Sequence, residues 1–509
     1  MRAGHIVIDP DFVLGPVDRR LFGTFVEHMG RCVYTGIFEP GHPRADEQGF
    51  RQDVLELVRE LGPTIVRYPG GNFVSGYRWE DGVGPVAERP QRLDLAWRSL
   101  EPNTFGLHEF MAWSGQAGIE PMLAVNLGTR GVQEAADLVE YANHPSGTEL
   151  SDRRIKNGAR DPFGVRVWCL GNEMDGPWQV GQKTADDYGK LATEAAKAMR
   201  LVDPSIELVA CGSSNRGMPT FASWEATVLE RAYDHVDYVS MHAYYEETDD
   251  LRDFLATAVD MDGFIEDVIA AADYVKAKKR RRKELKISFD EWNVWYQSAY
   301  NQLPRRGWEH APALIEDEYS IVDAVVVGSY LISLLNHADR VAIACQAQLV
   351  NIIAPIRTEA GGPAWRQTIF DPFADMARLA RGVALRLPIA GPELVTPKYG
   401  AVPAVTAAAT WDEESSTVAL FLVNRHPQDE IVVDVDLRAL APTGVGEHRV
   451  LAGEDARVTN TAAAPERVRS RPADTARLEA GRLTVPLPAV SWTALTLTGD
   501  TPARRPSIA

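Results

Sequence analysis

Two glutamates end uninterrupted apolar runs, in settings that suit proton transfer or nucleophilic attack. Glu173 follows Val167-Trp168-Cys169-Leu170, and Glu291 follows Ile287-Ser288-Phe289. Polar groups also end the other runs: Glu27-His28, Arg67-Tyr68-Pro69-Gly70-Gly71-Asn72, Asn126, His242 with Tyr244, and Gln346 with Gln348. Such a set binds hydroxyls and moves protons. No lysine ends a run to form a Schiff base, and no Gly-Lys-Ser/Thr follows Gly70-Gly71 as it would in a phosphate loop. Two carboxyl groups roughly 5 Å apart are what retaining glycoside hydrolysis requires, one as nucleophile and one as acid and then base. Arg67 is the expected partner that keeps Glu291 ionised, while the charge of Glu291 would raise the pKa of Glu173. Forming a glycosyl ester removes that charge and leaves Glu173 able to act as the base.

Asp175 and Asp290 compete for these roles. Strand alternation aims Asp290 at the face opposite Glu291, and Asp175 lies two residues further into its loop than Glu173. Plainer readings stand beside the chemical ones. Glu27 and Arg67 could form a salt bridge, and His242 is expected to orient a neighbouring carboxylate. Glu27, His28 and Cys32 are close in sequence, but no His-Glu-x-x-His or paired Cys-x-x-Cys accompanies them, so no metal site is expected. Cys32, Cys169, Cys211 and Cys345 read as buried small hydrophobes. The basic run Lys276–Lys283 closes a helix pattern, where cations favour the helix C-terminus. Trp113 and Trp224 fall within helix patterns and read as packing.

The elements that would carry these residues alternate. Eight strand-like runs, Leu21–His28, Thr64–Gly71, Pro121–Gly128, Arg166–Glu173, Ile206–Ser214, Val236–Tyr245, Lys286–Val294 and Val341–Asn351, are separated by amphipathic stretches. The latter are Gln52–Leu61, Gly106–Ala117, Gln133–Asn143, Thr184–Val202, Asp262–Lys278 and Asp317–Ala338. This alternation predicts a (β/α)8 TIM barrel, in which reactive groups sit at the C-terminal ends of strands. A doubly wound sheet is the alternative, but no Gly-rich fingerprint opens its first turn. Beyond Arg386 the helical period stops. Val402–Trp411, Thr417–Asn424, Glu430–Leu437, Arg482–Leu487 and Val490–Thr498 then read as a β-sandwich, with Gly453–Gly481 as a long surface loop. The expected division is an N-terminal strand segment over 1–17 that pairs with the C-terminal domain, a barrel over 18–385, a sandwich over 386–501 and a tail over 502–509.

Four longer motifs narrow the reading. Gly171-Asn172-Glu173-Met174-Asp175-Gly176 resembles the acid/base motif of clan A glycoside hydrolases, and Asp290-Glu291-Trp292-Asn293 resembles their nucleophile motif. Together with Phe25–Ile37 and Arg67–Phe73, the chain resembles the intracellular α-L-arabinofuranosidases of glycoside hydrolase family fifty-one over nearly its whole length. The resemblance implies a barrel with a jelly-roll β-sandwich, retention of configuration, and no cofactor. It implies Glu173 as acid/base, Glu291 as nucleophile, and Glu27, Asn72, Asn172, Tyr244 and Gln348 as hydrogen-bonding partners of the arabinofuranose. Asn172 would hold the 2-hydroxyl, and Trp295 could wall the sugar site. The implied activity is exo-release of terminal arabinofuranosyl residues from arabinan- or arabinoxylan-derived oligosaccharides, in an oligomer that is commonly a hexamer. Where many members carry Gln, this chain has Ala243, and an acidic loop follows Tyr245.

Composition limits the alternatives. A net charge of −18 over 509 residues disfavours nucleic acid as a partner. Four cysteines cannot build a disulfide scaffold and suit a reducing compartment. The first residues show no signal-peptide pattern, and the apolar stretch Val322–Leu335 is too short for a membrane span, so a cytoplasmic protein is expected. Two other functions stay open on the residues alone: an endo-glucanase or xylan-active hydrolase with the same glutamates, and a non-catalytic carbohydrate-binding protein.

Overall fold

The structure, a computed structural model, describes residues 2–304, 307–440 and 442–499. Eight parallel strands close into a barrel: β1 (Gly23–Phe25), β2 (Ile65–Tyr68), β3 (Glu120–Val125), β4 (Val167–Leu170), β5 (Glu207–Ala210), β6 (Tyr238–Tyr245), β7 (Lys286–Val294) and β8 (Val341–Gln346). Seven fall within the runs expected from the sequence, and β3 begins one residue before its run, at Glu120. Strands covered on both faces read as continuous apolar stretches, and β4 is buried at every position.

The surrounding helices include Gln52–Leu61, Leu107–Ala117, Val132–Asn143, Ala185–Val202, Ala258–Lys279 and Ile321–Asn336, close to the expected spans. Thr184 caps its helix by accepting from the Asp187 N–H. Trp113 and Trp224 are buried helix residues, and all four cysteines are buried and free. The basic run ends the helix Ala258–Lys279, with Arg281 paired to Asp234 and Lys283 to Asp237.

Helix Ile321–Asn336 is buried over Ile321–Leu335 because it lies between barrel and β-domain. Asp323 sits in its first turn, accepting from the Ser320 N–H and hydroxyl. Gly328 permits a close approach of the two parts: a Cβ there would lie 2.6 Å from the Trp492 ring. No helix of the described residues is long and apolar enough to cross a membrane.

A five-stranded and a seven-stranded sheet form the β-domain. Its expected strands appear as Val405–Asp412, Thr417–Asn424, Ile431–Asp436, Arg482–Leu487 and Ser491–Gly499. The N-terminal strand Arg2–Val7 runs parallel to Ile431–Asp436, and Val13–Pro16 pairs with Val383–Leu385. Val383–Leu385, placed in the barrel by the sequence reading, therefore pairs in the β-domain sheet. The stretch expected as a surface loop is instead partly buried. Asn460, Val468 and Ser470 are covered, and Arg469 pairs with Asp371 of the barrel's last helix. The expected tail, 502–509, lies outside the described residues.

Candidate active site

The polar strand ends converge at one mouth of the barrel, and an irregularity in β7 sets their geometry. Ser288 pairs with Ser240 of β6, but Glu291 pairs with His242, so β7 carries one extra residue across that step. The same slip appears against β8, between Phe289 and Trp292. Such a bulge turns consecutive side chains to one side. Alternation had aimed Asp290 away from Glu291. Instead Asp290 is buried against the same cluster, accepting from His242 Nε2 at 2.9 Å with Arg67 Nε 3.8 Å away.

Glu291 is held from two directions. Arg67 Nη1 donates to its Oε1 at 2.6 Å, and the Tyr244 hydroxyl donates to its Oε2 at 2.7 Å. Arg67 also donates to Asn172 Oδ1 at 2.7 Å, and its guanidinium lies 4.8 Å from the centroid of the Phe25 ring. A planar fork suits such simultaneous contacts. Burial alone would lower the Arg67 pKa, but the charges of Asp290 and Glu291 push it well above the usual arginine value. The possible Glu27–Arg67 salt bridge is absent: Arg67 is engaged with Glu291, Asp290 and Asn172.

Glu173 has left-handed backbone, φ 43°, just past β4. His242 Nδ1 lies 2.9 Å from its Oε1, and the Trp178 indole donates to its Oε2 at 2.6 Å. His242 thus bridges Glu173 and Asp290. Burial would lower its pKa, but the Glu291 charge and the hydrogen bonds to Asp290 and Glu173 outweigh that and raise it to about 10. Donor atoms of Glu173, His242 and Glu291 all lie within 4.8 Å of one another. Both ring nitrogens of His242 are already spent on carboxylates, Nδ1 on Glu173 and Nε2 on Asp290. Asp175 is turned away to Ser214, whose N–H donates to it at 3.1 Å.

Glu27 accepts from the Phe73 N–H at 2.9 Å, the Trp97 indole at 2.9 Å and the Gln348 amide at 3.0 Å. Burial, then the Glu291 charge, raises its pKa to about 8. Gly71 explains the double glycine after β2. With φ 40°, a Cβ there would stand 2.4 Å from the Glu27 carboxylate. Asn172 also donates to Asn72 Oδ1 at 3.2 Å. Trp295 packs edge-on against Tyr244, with ring centroids 5.2 Å apart. A cavity of about 690 Å³ is lined by Glu27, Asn72, Glu173, Tyr244, Glu291, Trp295 and Gln348 among others.

Comparisons with known proteins give the family. Residues 57–276 match the α-L-arabinofuranosidase 1 domain and residues 290–491 the α-L-arabinofuranosidase C-terminal domain. An intracellular exo-α-(1→5)-L-arabinofuranosidase of Streptomyces lividans is 56% identical over 99% of this chain and 77% of its own. The chain belongs to the family 51 α-L-arabinofuranosidases. An exo-α-(1→6)-L-arabinofuranosidase of Bifidobacterium longum is 53% identical, with 97% of both chains covered. The solved structure of a family 51 α-L-arabinofuranosidase from Bifidobacterium longum superposes with a TM-score of 0.93 at 49% identity, covering 97% of this chain and 99% of that one.

In this family member, sequence reasoning missed two tryptophans. Trp97 projects from the hairpin Arg92–Asp94/Ser99–Glu101, and Trp178 follows Glu173 by five residues. Neither ends a strand, which was the signal used to find the others. Asn126, by contrast, follows β3 yet ties loops together, donating to the Tyr77 carbonyl at 2.8 Å and accepting from the Gly128 N–H at 3.0 Å. Asn293 likewise binds the carbonyls of Ala347 and Ile353.

Proposed function

We propose that this family 51 α-L-arabinofuranosidase releases terminal α-L-arabinofuranosyl residues from arabinan- or arabinoxylan-derived oligosaccharides with retention of configuration. Glu291 is the nucleophile and Glu173 the acid/base. The observation that carries this reading is the placement of the two carboxyl groups, with oxygens within 4.8 Å across the mouth. That spacing suits direct attack and leaves no room for the intervening water of an inverting mechanism.

In the first step a Glu291 oxygen attacks the anomeric carbon while Glu173 gives its proton to the departing glycosidic oxygen. Arg67 and Tyr244 aim the nucleophile, and His242 and Trp178 hold the acid. In the second step Glu173 takes a proton from water, which attacks the same carbon and restores Glu291. Asn172, fixed by Arg67 and Asn72, is placed to bind the 2-hydroxyl, an interaction that strengthens as positive charge develops on the sugar. Glu27, Asn72, Tyr244 and Gln348 bind the remaining hydroxyls, with Trp295 as an apolar wall. The names of relatives support a cytoplasmic location, and the family resemblance supports a homo-oligomer, commonly a hexamer.

The test is hydrolysis of a panel of p-nitrophenyl glycosides by the wild type, Glu173→Ala and Glu291→Ala. Release from the α-L-arabinofuranoside, lost in both variants and partly restored by azide in Glu173→Ala, is the expected result. Undiminished hydrolysis in either variant would overturn the assignment.

A further inference from the structure

The catalytic cavity is larger than one arabinofuranosyl ring, and its two ends differ in construction. Glu27, Asn72, Trp97 and Gln348, from the loops after β1, β2 and β8, form the end that receives the cleaved sugar. The other end is built on the loop beside Glu173: Asp175 accepts from the Ser214 N–H, and Arg216, two residues on, pairs with Asp260. Arg216 after β5, Asp260 of the helix Ala258–Lys279, and Lys398 form part of its wall. A leaving group protonated by Glu173 must depart toward this second end.

Lys398 is unlike the other lining groups because it comes from the C-terminal β-domain. It stands in the turn between the paired strands Glu393–Thr396 and Gly400–Pro403. That turn is anchored to the barrel: the Lys398 N–H donates to Asp253 at 2.7 Å, and Arg252 donates to the Val395 carbonyl at 3.3 Å. A second strut runs through the acidic loop after β6. Glu246 accepts from the Ser298 N–H at 3.0 Å, holding the short helix Gln297–Asn301 that also lines the cavity, and Glu247 pairs with Arg457 of the β-domain.

The two cations at this end are not equivalent. Arg216 is committed to Asp260 at 3.0 Å and Asp267 at 2.7 Å, and Asp260 also accepts from the Tyr245 hydroxyl at 3.2 Å. The Lys398 ammonium lies 5.0 Å from the centroid of the Tyr399 ring, on an exposed residue at the cavity rim. An ammonium offers three donors on a flexible stem, which suits sugar hydroxyls whose positions vary.

We propose that the β-domain completes the leaving-group end of the cavity, and that Lys398 binds the hydroxyls of an oligosaccharide leaving group beyond its first sugar. This rests on the assignment of Glu173 as the acid. It also offers a physical place for the linkage difference between the relatives, since (1→5) and (1→6) linkages to the same cleaved sugar differ only in what lies on the departing side.

The experiment compares kcat/KM for α-(1→5)-linked arabinotetraose with that for p-nitrophenyl α-L-arabinofuranoside, in the wild type, Lys398→Met and Lys398→Arg. The tetraose-to-nitrophenyl ratio should fall about fivefold in Lys398→Met, the effect of one lost hydrogen bond, and recover at least half-way in Lys398→Arg. Thermal melting checks that each variant is folded. An unchanged ratio in Lys398→Met, or equal loss on both substrates, would overturn the proposal. A wild type that cleaves neither arabinofuranoside would defeat the functional reading itself, and this inference with it.

Discussion

Replacing His242 with glutamine tests whether a buried cation holds the two sides of the site together. His242 lies 2.9 Å from both Glu173 and Asp290 and 3.7 Å from Glu291. Its surroundings raise its pKa from 6.5 to about 10. At 1.36 kcal/mol per pH unit, that preference for the charged form is worth roughly 5 kcal/mol. The folded pKa is the higher one, so this stabilisation is complete below about pH 6.5 and is lost as pH rises toward about 10. Glutamine can donate to one of the two carboxylates and carries no charge. With an unfolding entropy of about 2.1 cal/mol/K per residue over a chain of this length, 5 kcal/mol corresponds to a Tm difference of roughly 5 °C. Calorimetry of wild type and His242→Gln from pH 6 to pH 10 should show the variant less stable at the acid end and the gap closing toward the alkaline end. A gap that stays constant, or widens with pH, would refute the reasoning.

Arg67→Met strands Glu291 and Asp290 as buried anions and should cost about 3–5 kcal/mol in denaturant unfolding, with kcat reduced at least about 100-fold. Arg67→Lys keeps the charge without the planar fork and should recover stability more than kcat; full activity in either variant would contradict the geometry. Gly71→Ala places a Cβ 2.4 Å from the Glu27 carboxylate at a backbone φ of 40°, so melting should show a loss of about 2 kcal/mol or more and KM should rise. Wild-type values for both would count against that packing. Glu27→Gln fixes the neutral form that burial favours. Because the Glu27 pKa rises from 4.5 to about 8 on folding, wild-type stability falls across that interval, and the Tm of the variant relative to wild type should climb from pH 4.5 to pH 8. A flat difference would show that Glu27 is not held neutral.

The barrel was legible because covered parallel strands announce themselves as apolar runs and their C-terminal ends as polar interruptions. Glu173, Glu291, Arg67 and Tyr244 were all found that way, and all four meet in one cluster. Elements lacking that contrast were not found. The strand Pro442–Leu451 has two glycines and only scattered apolar residues; it is recruited by its neighbour Ser491–Gly499. The helix Phe370–Leu379 carries Pro372 in its first turn, where proline is tolerated but reads locally as a break. The indoles of Trp97 and Trp178 lie in loops whose course depends on what they cover, so nothing in their spacing marked them.

The bulge in β7 shows where local reasoning stops. A strand of period two can deliver only one of two adjacent carboxylates to the barrel interior, and on that rule Asp290 had no part in the site. The extra residue arises from how β7 registers against both β6 and β8, which is a property of the closed sheet and not of the run Ile287–Trp292. Its effect is to give two neighbouring acids different tasks. Glu291 stays at the cavity, where it can meet a sugar, while Asp290 sits deeper and grips His242 from behind. Burial would raise the Asp290 pKa, but Arg67 and His242 hold it below the usual carboxylate range. Asp290 therefore remains the anion that keeps His242 charged, and His242 in turn orients Glu173. On the proposed roles, a motif that looks like one nucleophile with a bystander is a nucleophile joined to the support of its partner acid.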